Sequence, residues 1–591
     1  MRTRIRMVNY NQIKKDKGQF FTPKPIVKAV LKRVVDYFPI DHRSKIITVL
    51  DPAIGKGVFF STLIPLISPL FPSVKLYGLD IDSSVIKIAE KELFPLVIES
   101  SYDIVLKIGN FFLDFPSDIP TKEFDVIIGN PPHNARYSRA EWKKIRENCL
   151  FGQNLHIYPE SSIFFTLKSL KLLKSGGILC YLLPKPIIYS KRWRKFRKLL
   201  LTNYCLIEAL DLGNQFSGQL QEQIVLILKK ILPDIKYHKY QTGIWNPIEK
   251  KFKQRSFIFN SDALIIDNLL VGVNNSELEI IRRLYSNEFE FLNVNAFRGL
   301  SSKFREKNGT IPLIEKANIA SGFLLPPRGF LKENTPKQRI MRQQIPKIIA
   351  QRIISYQTKP TYSLDVKTWV DQKGAVLTHE TVINIIPNYP QEVLSLTAIA
   401  GLLKSSFIEW WLCHAVYTKE FVTSKDFDRA YINLIRIPHI SDSKSIKYRK
   451  RLSELLQFNQ YEKILKEMKS QTDIDKFYTL GEFYSKYQKG GENLKTRITQ
   501  LIRDKRTYPL YPRKTEFHSF RWFYKQLIKE KDINEIFQES TLGEQQASNY
   551  LASIVRNYKE LQQLQNYIDE IAFSLYKITP NEQRLIKGES S

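Results

Sequence analysis

Short runs of apolar and β-branched residues alternate with longer segments of helical periodicity through the first 230 residues. This alternation is typical of a parallel sheet covered by helices on both faces. The runs predict strands at residues 46–50, 75–79, 103–108, 125–128, 177–183, 206–211 and 223–228. The intervening segments predict helices at residues 25–37, 58–67, 83–93, 161–173 and 193–203. The pair Gly176 and Gly177 predicts a turn before the fifth strand. The N-terminal part is therefore predicted to be an α/β domain with a seven-stranded sheet.

The pattern changes after about residue 231, where aromatic residues lie among lysines and the alternation becomes irregular. We predict a first domain at residues 1–240 and a second region at 241–445. The second region mixes short strands with basic loops, which predicts another α/β unit. Residues 446–591 are rich in Lys, Glu, Gln, Leu and Tyr at helical spacing. This last region is predicted to be mostly helical.

Charge narrows the choice of partner. Lys and Arg total 90 against 59 Asp and Glu, giving a formal net charge of +31. Such an excess favours a polyanion, and nucleic acid first. A generally solvated basic surface is the alternative, and a membrane surface comes third.

The four cysteines show neither metal-ligand nor redox-motif spacing, which predicts reduced thiols in a cytoplasmic protein. The first 18 residues are basic and polar, so a secretory signal is not expected. Residues 48–72 are fairly apolar but contain Asp51, Lys56 and several prolines. No membrane segment is predicted.

Three short motifs predict a nucleoside cofactor at the strand ends. GQFFTP at residues 18–23 directly precedes a helix, and LDPAIGKGVF at residues 50–59 turns from a strand into a helix. Gly55 and Gly57 let the backbone approach a ligand closely, although an ordinary connection would also explain them. In YGLDID at residues 77–82, Asp80 ends the next strand. It is placed to accept hydrogen bonds from ribose hydroxyls, or it is simply a helix cap.

The fourth motif, FDVIIGNPPHN at residues 124–134, is the most specific. A buried strand leads into Asn130, Pro131, Pro132 and a flat ring, His133. Prolines remove N–H donors, so the Pro131 carbonyl and the Asn130 side-chain oxygen are both placed to accept from an amino group. The His133 ring would stack on a base. A proline-rich turn after a strand is the structural alternative.

In the order of these motifs, residues 18–230 resemble the gamma-type, TaqI-like N6-adenine DNA methyltransferases of restriction-modification systems. The resemblance implies a Rossmann-like domain that binds S-adenosyl-L-methionine (AdoMet). It also implies that Asn130, Pro131, Pro132 and His133 hold the target base, with Phe216 as a second stacking partner. The cofactor-binding residues that it implies are Thr22, Pro23, Asp51, Ala53, Gly55, Gly57, Asp80, Ile81, Asn110 and Phe111.

The chain departs from the family pattern at three places. His133 stands where the family has Tyr, Phe or Trp, and Asn110 stands where an Asp commonly contacts the cofactor adenine. The amide oxygen of Asn110 is expected to accept from that adenine instead. Residues 153–165 lack the usual acid-Leu-Tyr form, although Tyr158 and Glu160 are nearby.

Two basic segments predict contacts with DNA phosphates. In KRWRKFRK, Trp193 and Phe196 are three residues apart and should face the core, leaving Lys191, Arg192 and Arg194 outside. A solvated helix face explains the same pattern. The resemblance implies that the second region, residues 241–445, is a target-recognition and DNA-binding region. It contains the second basic segment, formed by Arg328, Lys332, Lys337, Arg339, Arg342 and Lys347.

The sequence thus predicts an AdoMet-dependent enzyme that methylates the N6 amino group of an adenine flipped out of double-stranded DNA. Direct transfer needs neither a metal nor a covalent intermediate. We expect cytoplasmic location in a prokaryote or phage-infected cell, and a separate restriction endonuclease as a partner. Methylation of RNA or of protein glutamine, and a DNA-binding subunit without turnover, remain alternatives.

Overall fold

A computed structural model describes most of the first 440 residues and a C-terminal segment. The described residues are 22–38, 46–100, 102–117, 124–133, 135–149, 159–215, 222–316, 319–320, 323–324, 329–357, 362–364, 366–389, 394–417, 425, 427, 429–439, 447, 450 and 565–588. The chain divides into two compact units. Unit 1 comprises residues 1–282 and 413–423, and unit 2 comprises residues 283–412 and 424–591.

Unit 1 is built on a nine-stranded sheet. Its strands are β1 (Ile47–Asp51), β2 (Val74–Asp80), β3 (Asp103–Ile108), β4 (Phe124–Gly129), β5 (Leu173–Pro184), β6 (Cys205–Gly213), β7 (Gln223–Lys229), β8 (Lys239–Asn246) and β9 (Lys251–Phe259). Their order across the sheet is β3-β2-β1-β4-β5-β7-β6-β8-β9. Strands β1 to β5 pair in parallel, whereas β7 is antiparallel to both β5 and β6. All seven predicted strands are present.

Helices cover this sheet. They are α1 (Lys24–Val35), α2 (Val58–Ile67), α3 (Ser83–Ser100), α4 (Arg139–Cys149), α5 (Ser161–Leu172), α6 (Arg194–Asn203), α7 (Asn260–Ile266) and α8 (Asn275–Leu284). The five predicted helices correspond to α1, α2, α3, α5 and α6. The sequence missed α4 because Ile145 and Cys149 are its only buried residues, which leaves almost no apolar stripe.

The core of unit 1 lies between the sheet and these helices. Every residue of β1 and β4 is buried, as expected for central parallel strands covered on both faces. Val49 and Val126 pair directly across β1 and β4, and both belong to a cluster that also contains apolar residues of α1, α2 and α3. The central strands are therefore held rigidly, and with them the loops that follow their carboxyl ends.

Two local predictions need correction. The boundary placed at residue 240 falls inside β8, because β8 pairs with β6 and β9 and the sheet continues to Phe259. The predicted turn at Gly176 is part of β5. Gly176 has φ +78 there, and the pairing of β4 with β5 shifts register between Phe124 and Val126. The glycine thus permits an irregularity inside a strand instead of ending one.

Unit 2 consists of short strands in several small sheets. Its strands are β10 (Phe289–Phe291), β11 (Val294–Arg298), β12 (Arg305–Glu306), β13 (Pro312–Ile314), β14 (Ile319–Ala320), β15 (Phe323–Leu324), β16 (Gly329–Leu331), β17 (Lys347–Gln351), β18 (Ser355–Gln357), β19 (Tyr362–Leu364), β20 (Thr368–Asp371), β21 (Leu377–Thr378), β22 (Val382–Pro387) and β23 (Arg436–Pro438). Two sheets have four strands each, in the orders β11-β22-β17-β20 and β12-β16-β13-β21.

The helices of unit 2 are short. They are α9 (Lys337–Met341), α10 (Leu396–Leu403), α11 (Ser406–Trp411), α12 (Arg429–Ile432), a helical segment at residues 565–575, and α13 (Pro580–Lys587). The mixture of strands and helices agrees with the predicted α/β character. Most of the predicted helical C-terminal region, residues 451–564, lies outside the described residues. Among the helices that are described, none combines the length and apolar character needed to cross a membrane.

Candidate active site

The loops after β1, β2 and β4 form one cavity in unit 1. These three strands are neighbours and run in parallel, so their carboxyl ends meet at one edge of the sheet. The space there measures about 850 Å³, including the part open to solvent. We call it the strand-end cavity. It is lined by Thr22, Pro52, Ala53, Ile54, Gly55, Lys56, Val58, Phe59, Asp80, Ile81, Val85, Gly109, Asn110, Phe111, Asn130, Pro132, Ala135, Tyr137 and Phe165.

The carboxylate of Asp80 fixes the first loop of this cavity. Gly55 donates its backbone N–H to Oδ2 of Asp80 at 2.9 Å, and Asp82 donates its own to Oδ1 at 3.0 Å. Asp80 is 8% exposed, and burial raises its pKa. Each oxygen has a further lone pair, so the carboxylate can still accept from a ligand. This geometry is compatible with a contact to ribose hydroxyls.

The turn between β1 and α2 relies on its two glycines. Gly55 has φ +53 and Gly57 has φ +78, backbone angles that residues other than glycine rarely adopt. A Cβ on Gly57 would also approach Cδ1 of Leu93 to 3.0 Å. The backbone therefore turns tightly at the start of α2, where the N–H groups of a first helical turn lack intrahelical partners.

Asp51 lies behind the cavity lining and is almost completely buried. Its Oδ1 accepts the N–H of Ala53 at 3.1 Å, while its Oδ2 has no hydrogen-bond partner. Burial raises the pKa of this carboxyl to about 8, and the nearby charge of Asp80 adds to the shift. Gly129 packs against it, because a Cβ on Gly129 would come within 2.7 Å of Oδ1. Asp51 thus joins the ends of β1 and β4.

Phe111 and Asn110 form the wall after β3. Phe111 is 2% exposed and stacks on Phe165, with ring centroids 4.9 Å apart. The Nζ of Lys168 lies 4.8 Å from the centre of the Phe111 ring and donates to the carbonyl of Phe111. Burial lowers the pKa of Lys168 to about 8. The amide oxygen of Asn110 accepts the backbone N–H groups of Phe112 and Leu113, at 3.0 and 3.3 Å. That oxygen is therefore engaged in capping its own turn.

The Asn-Pro-Pro turn after β4 is fixed at both ends. Nδ2 of Asn130 donates to Oγ1 of Thr22 at 3.2 Å, which orients the amide. Ser161 donates its hydroxyl to the carbonyl of Pro132 at 2.6 Å and accepts the N–H of Ala135 at 3.1 Å. Asn130 and Pro132 both line the cavity.

His133 does not contribute to the cavity lining. It is 3% exposed, and its Nε2 lies 3.0 Å from Nε2 of Gln223 at the start of β7. Its Nδ1 is buried without a hydrogen-bond partner. Burial lowers the pKa of the imidazole to about 3, so the ring is neutral at physiological pH. Stacking of this ring on a base would require it to become uncovered.

The structure brings most of the predicted cofactor and base residues to one place. Nine of them line the strand-end cavity: Thr22, Ala53, Gly55, Asp80, Ile81, Asn110, Phe111, Asn130 and Pro132. Five others adjoin the lining in sequence without contributing to it: Pro23, Asp51, Gly57, Pro131 and His133. Phe216 lies outside the described residues. The roles of all these residues stay predictions.

Sequence reasoning missed three side chains that support the site. Ser161 fixes the Asn-Pro-Pro turn, Lys168 supports Phe111, and Gln223 contacts His133. Their partners are 29, 57 and 90 residues away in the chain, so no local motif signals these contacts. The only signal was the position of Gln223 at the first residue of a predicted strand.

The two aromatic residues of the first basic segment are buried, as predicted. Trp193 is 7% exposed and Phe196 is fully buried. Lys191, Arg192 and Arg194 are exposed. The guanidinium of Arg194 pairs with Asp267 at 3.0 Å, however, and that of Arg192 lies over the Trp193 ring at 5.5 Å. Part of this positive charge is therefore already balanced within unit 1.

The second basic segment divides into exposed and buried cations. Arg339 lies 5.3 Å from the centre of the Phe304 ring, Lys303 lies 4.8 Å from the same ring, and Arg342 lies 4.5 Å from the Phe297 ring. We call these five residues the cationic face. Lys303, Arg339 and Arg342 are exposed, so their charged groups remain accessible to water and to anions while they lie on the rings.

The predicted phosphate contact of Lys347 is wrong. It is fully buried, and its Nζ donates to Oδ2 of Asp371 at 2.7 Å and to the carbonyls of Gln343 and Val376. A lysine in a central strand of a small sheet cannot reach a phosphate. Arg328 lies outside the described residues.

Comparisons with known proteins agree with this geometry. Residues 5–254 match the family model described as N-6 DNA Methylase. The type II methyltransferase M.VspI of Vibrio sp. (strain 343) is 30% identical over 223 residues, covering 37% of this chain and 50% of that protein. The modification methylase CviBIII of Paramecium bursaria Chlorella virus NC1A is 28% identical over 308 residues, covering 52% of this chain and 67% of that protein.

Solved structures resemble the chain at low sequence identity. The type I restriction-modification system methyltransferase subunit from Streptococcus thermophilus is 19% identical, covers 46% of this chain and 55% of that one, and has a TM-score of 0.32. The chain spans about half the length of M.VspI. The predicted α/β, Rossmann-like fold class is confirmed by unit 1, where the seven predicted strands lie side by side in the order β3-β2-β1-β4-β5-β7-β6. The sheet has nine strands and not seven, because β8 and β9 extend it.

Proposed function

We propose, on the premise that residues 5–254 form an N-6 DNA methylase region, that this protein is a site-specific DNA methyltransferase. It transfers a methyl group from AdoMet to the N6 amino group of an adenine in double-stranded DNA. The modification would belong to a restriction-modification system, with a separate restriction endonuclease as the predicted partner. Assignment to the gamma subtype is part of the same proposal.

One observation carries the proposal: Asn130 and Pro132 line the same cavity as Asp80 and Gly55. An acceptor-rich turn at the end of β4 thus shares a space with a glycine turn and an acid at the ends of β1 and β2. Ligands of open α/β sheets bind at the carboxyl ends of the strands. The arrangement supports a nucleoside cofactor and an amino-group substrate that meet in one cavity.

The residues present fit AdoMet. Asp80 retains lone pairs toward the cavity, and Ile81, which is 51% exposed, offers an apolar surface for a purine. Phe111 is held rigidly by Phe165 and Lys168. A Cβ would strain the positive-φ turn at Gly55. AdoMet supplies a methyl group on a sulfonium, which needs only a positioned nucleophile.

The Asn130 side chain would position that nucleophile. Its amide nitrogen donates to Oγ1 of Thr22, and its oxygen is the atom that would accept from the amino group of the substrate. Two acceptors, Oδ1 of Asn130 and the carbonyl of Pro131, would draw the adenine amino group toward tetrahedral geometry. Catalysis would then depend on positioning and electrostatics. Flipping the adenine out of the duplex costs a few kcal/mol.

Charge supports DNA as the substrate. The net charge is +31, and the cationic face adds Lys303, Arg339 and Arg342 on aromatic rings. Lys191, Arg192 and Arg194 supply a second exposed set. We propose that these side chains contact phosphates, which predicts binding that weakens steeply with salt.

One observation favours a second candidate, a DNA-binding subunit without turnover. His133 occupies the family's stacking position, yet the ring is 3% exposed and outside the cavity lining. A protein that binds AdoMet and DNA but leaves this ring covered would transfer no methyl group.

The deciding experiment measures transfer of labelled methyl from AdoMet to unmethylated duplex DNA, followed by nucleoside analysis. RNA and protein extracts serve as parallel acceptors. Label in N6-methyladenine is the expected result. Label only in RNA or protein would overturn the substrate, and AdoMet binding without any labelled product would favour the second candidate.

A further inference from the structure

The side chain that faces His133 has no role in the function proposed above. Gln223 is fully buried and lies at the first residue of β7. It pairs with Pro184 at the end of β5 and with Gly213 at the end of β6. β7 is antiparallel to both strands, so its first residue reaches the sheet edge where the parallel strands end. Gln223 therefore lies at the sheet edge that carries the strand-end cavity, although it is 90 residues from His133 in the sequence.

A buried ion pair fixes the strand end that carries Gln223. The Nζ of Lys185 lies 2.6 Å from Oδ2 of Asp211 and 3.9 Å from Oε2 of Glu222. Lys185 also donates its backbone N–H to the carbonyl of Glu222 at 2.9 Å. One of these three charged groups, Glu222, is the residue directly before Gln223. Breaking such a buried pair is costly, so the start of β7 has little freedom to shift.

The contact between Gln223 and His133 determines the ring's tautomer. A side-chain amide nitrogen only donates, so Nε2 of His133 accepts from it at 3.0 Å. The proton of the neutral ring is then on Nδ1, which is buried without a partner. With its Nε2 lone pair engaged, the imidazole is unable to take a proton from the substrate through that atom.

We propose that Gln223 is a positioning residue for the Asn-Pro-Pro turn: its amide holds the His133 imidazole in one orientation and one tautomer, three residues after Asn130. The inference rests on the proposed function. It accounts for the single buried orientation of a histidine at a position where the resembled family has a Tyr, Phe or Trp. Gln223 makes the histidine act as a neutral ring and not as a base.

A double-mutant cycle tests this role with the full-length protein, AdoMet and a methylatable DNA duplex under single-turnover conditions. Gln223→Leu should slow methyl transfer about tenfold or more, because small displacements of catalytic groups are costly. AdoMet affinity should change less than about twofold, since the cavity lining is retained. In the His133→Phe background, Gln223→Leu should slow methyl transfer less than about threefold, because the ring no longer has a nitrogen that accepts from Gln223.

Asn260→Leu is the matched control. Asn260 is a fully buried amide of unit 1 that donates to the carbonyl of Leu201 at 2.9 Å, remote in sequence from every cavity residue. The Asn260→Leu variant should have lower thermal stability and an unchanged rate of methyl transfer. Equal slowing by Gln223→Leu in both backgrounds would mean that Gln223 only supports the fold, and would overturn the proposal.

A spectroscopic reading keeps the proposal testable if His133→Phe has no activity. Nitrogen-15 histidine spectra of the wild type should contain one ring protonated on Nδ1 that disappears in His133→Phe. The chain has 8 histidines, so this difference identifies the signal. Gln223→Leu should shift it, whereas an unchanged signal would contradict the contact. Absence of transfer by the wild type would instead contradict the proposed function.

Discussion

The strand-end cavity of unit 1 and the cationic face of unit 2 place their polar groups by different means. At the cavity, Asp80 belongs to the lining and Asp51 lies behind it; both are buried and accept backbone N–H groups at the ends of parallel strands. On the cationic face, Arg339 and Arg342 are exposed and lie on aromatic rings. The order and pairing of the strands determine where the acids of the cavity lie. Packing of each side chain decides which cations of the basic segment remain exposed. The order of motifs in the sequence is therefore informative for the cavity, whereas basic composition alone does not identify a DNA-contacting residue.

Lys347→Met gives the largest expected effect on stability and tests the assignment of that lysine to the core. Removing the cation leaves the buried carboxylate of Asp371 without its partner at 2.7 Å. The free energy of unfolding of unit 2 should fall by about 3–5 kcal/mol, as for other broken buried ion pairs. Urea unfolding of the full chain measures it.

Lys337→Met is the matched control for that variant. Lys337 is the exposed first residue of α9, and the same chemical change there should stay within about 0.5 kcal/mol. Equal effects of the two variants would remove the distinction between buried and exposed cations in this segment.

Gly129→Ala tests how closely β1 and β4 approach each other at the cavity. A Cβ there would come within 2.7 Å of Oδ1 of Asp51, and φ is +150. Strain and overpacking together should cost about 3 kcal/mol and weaken AdoMet binding. Gly176→Ala has φ +78 but no atom within 4 Å of its Cβ. It should cost only about 1–2 kcal/mol and leave AdoMet binding intact. Thermal unfolding and cofactor titration distinguish the two.

Replacing Arg339 and Arg342 together with Gln tests the cationic face. DNA binding should weaken about tenfold, and the slope of log K against log salt should fall by about 1.8, because two phosphate contacts are lost. Arg305→Gln is the control, since Arg305 is already paired with Glu315 at 2.6 Å. A salt slope that stays the same in the double variant would show that the cationic face does not contact DNA.

Asp51→Asn tests the buried acid through the pH dependence of stability. Burial raises the pKa of Asp51 to about 8, above its ordinary value of 3.8, so the folded state retains a proton that the unfolded state has lost. Stability due to this group is therefore complete at acid pH and is lost as pH rises toward 8, by up to about 1.4 kcal/mol per unit. The variant should lose less stability than the wild type between pH 5 and pH 8. Thermal unfolding at constant ionic strength measures the difference, and identical pH dependence would contradict the buried acid.

Much of unit 1 was predictable because its local patterns are strong. The β-branched runs predicted the seven strands. The motifs at residues 18–230 indicated a resemblance to N6-adenine DNA methyltransferases, and residues 5–254 match the family model described as N-6 DNA Methylase. Parallel pairing then brings the residues that follow β1, β2 and β4 together without further information.

Other features depend on contacts that no local pattern encodes. The strands β8 and β9 extend the sheet past residue 240, but the residues after 231 carry many lysines and only an irregular alternation, so the sequence did not predict these strands. Gly176 is a strand irregularity and not a turn, because its neighbour strand shifts register there. Lys347 was read as exposed since its segment is basic, and only the partner Asp371 explains its burial.

Asn130→Ala tests the central claim most directly, in a single-turnover measurement of methyl transfer to DNA together with a titration of AdoMet. Asn130 donates to Thr22 in the cavity, and its side-chain oxygen is the proposed acceptor for the adenine amino group. The rate should fall about 10²–10³-fold, the loss typical of one missing polar contact at a reacting centre, while AdoMet affinity stays within about twofold. A variant that methylates adenine at the full rate would contradict the account.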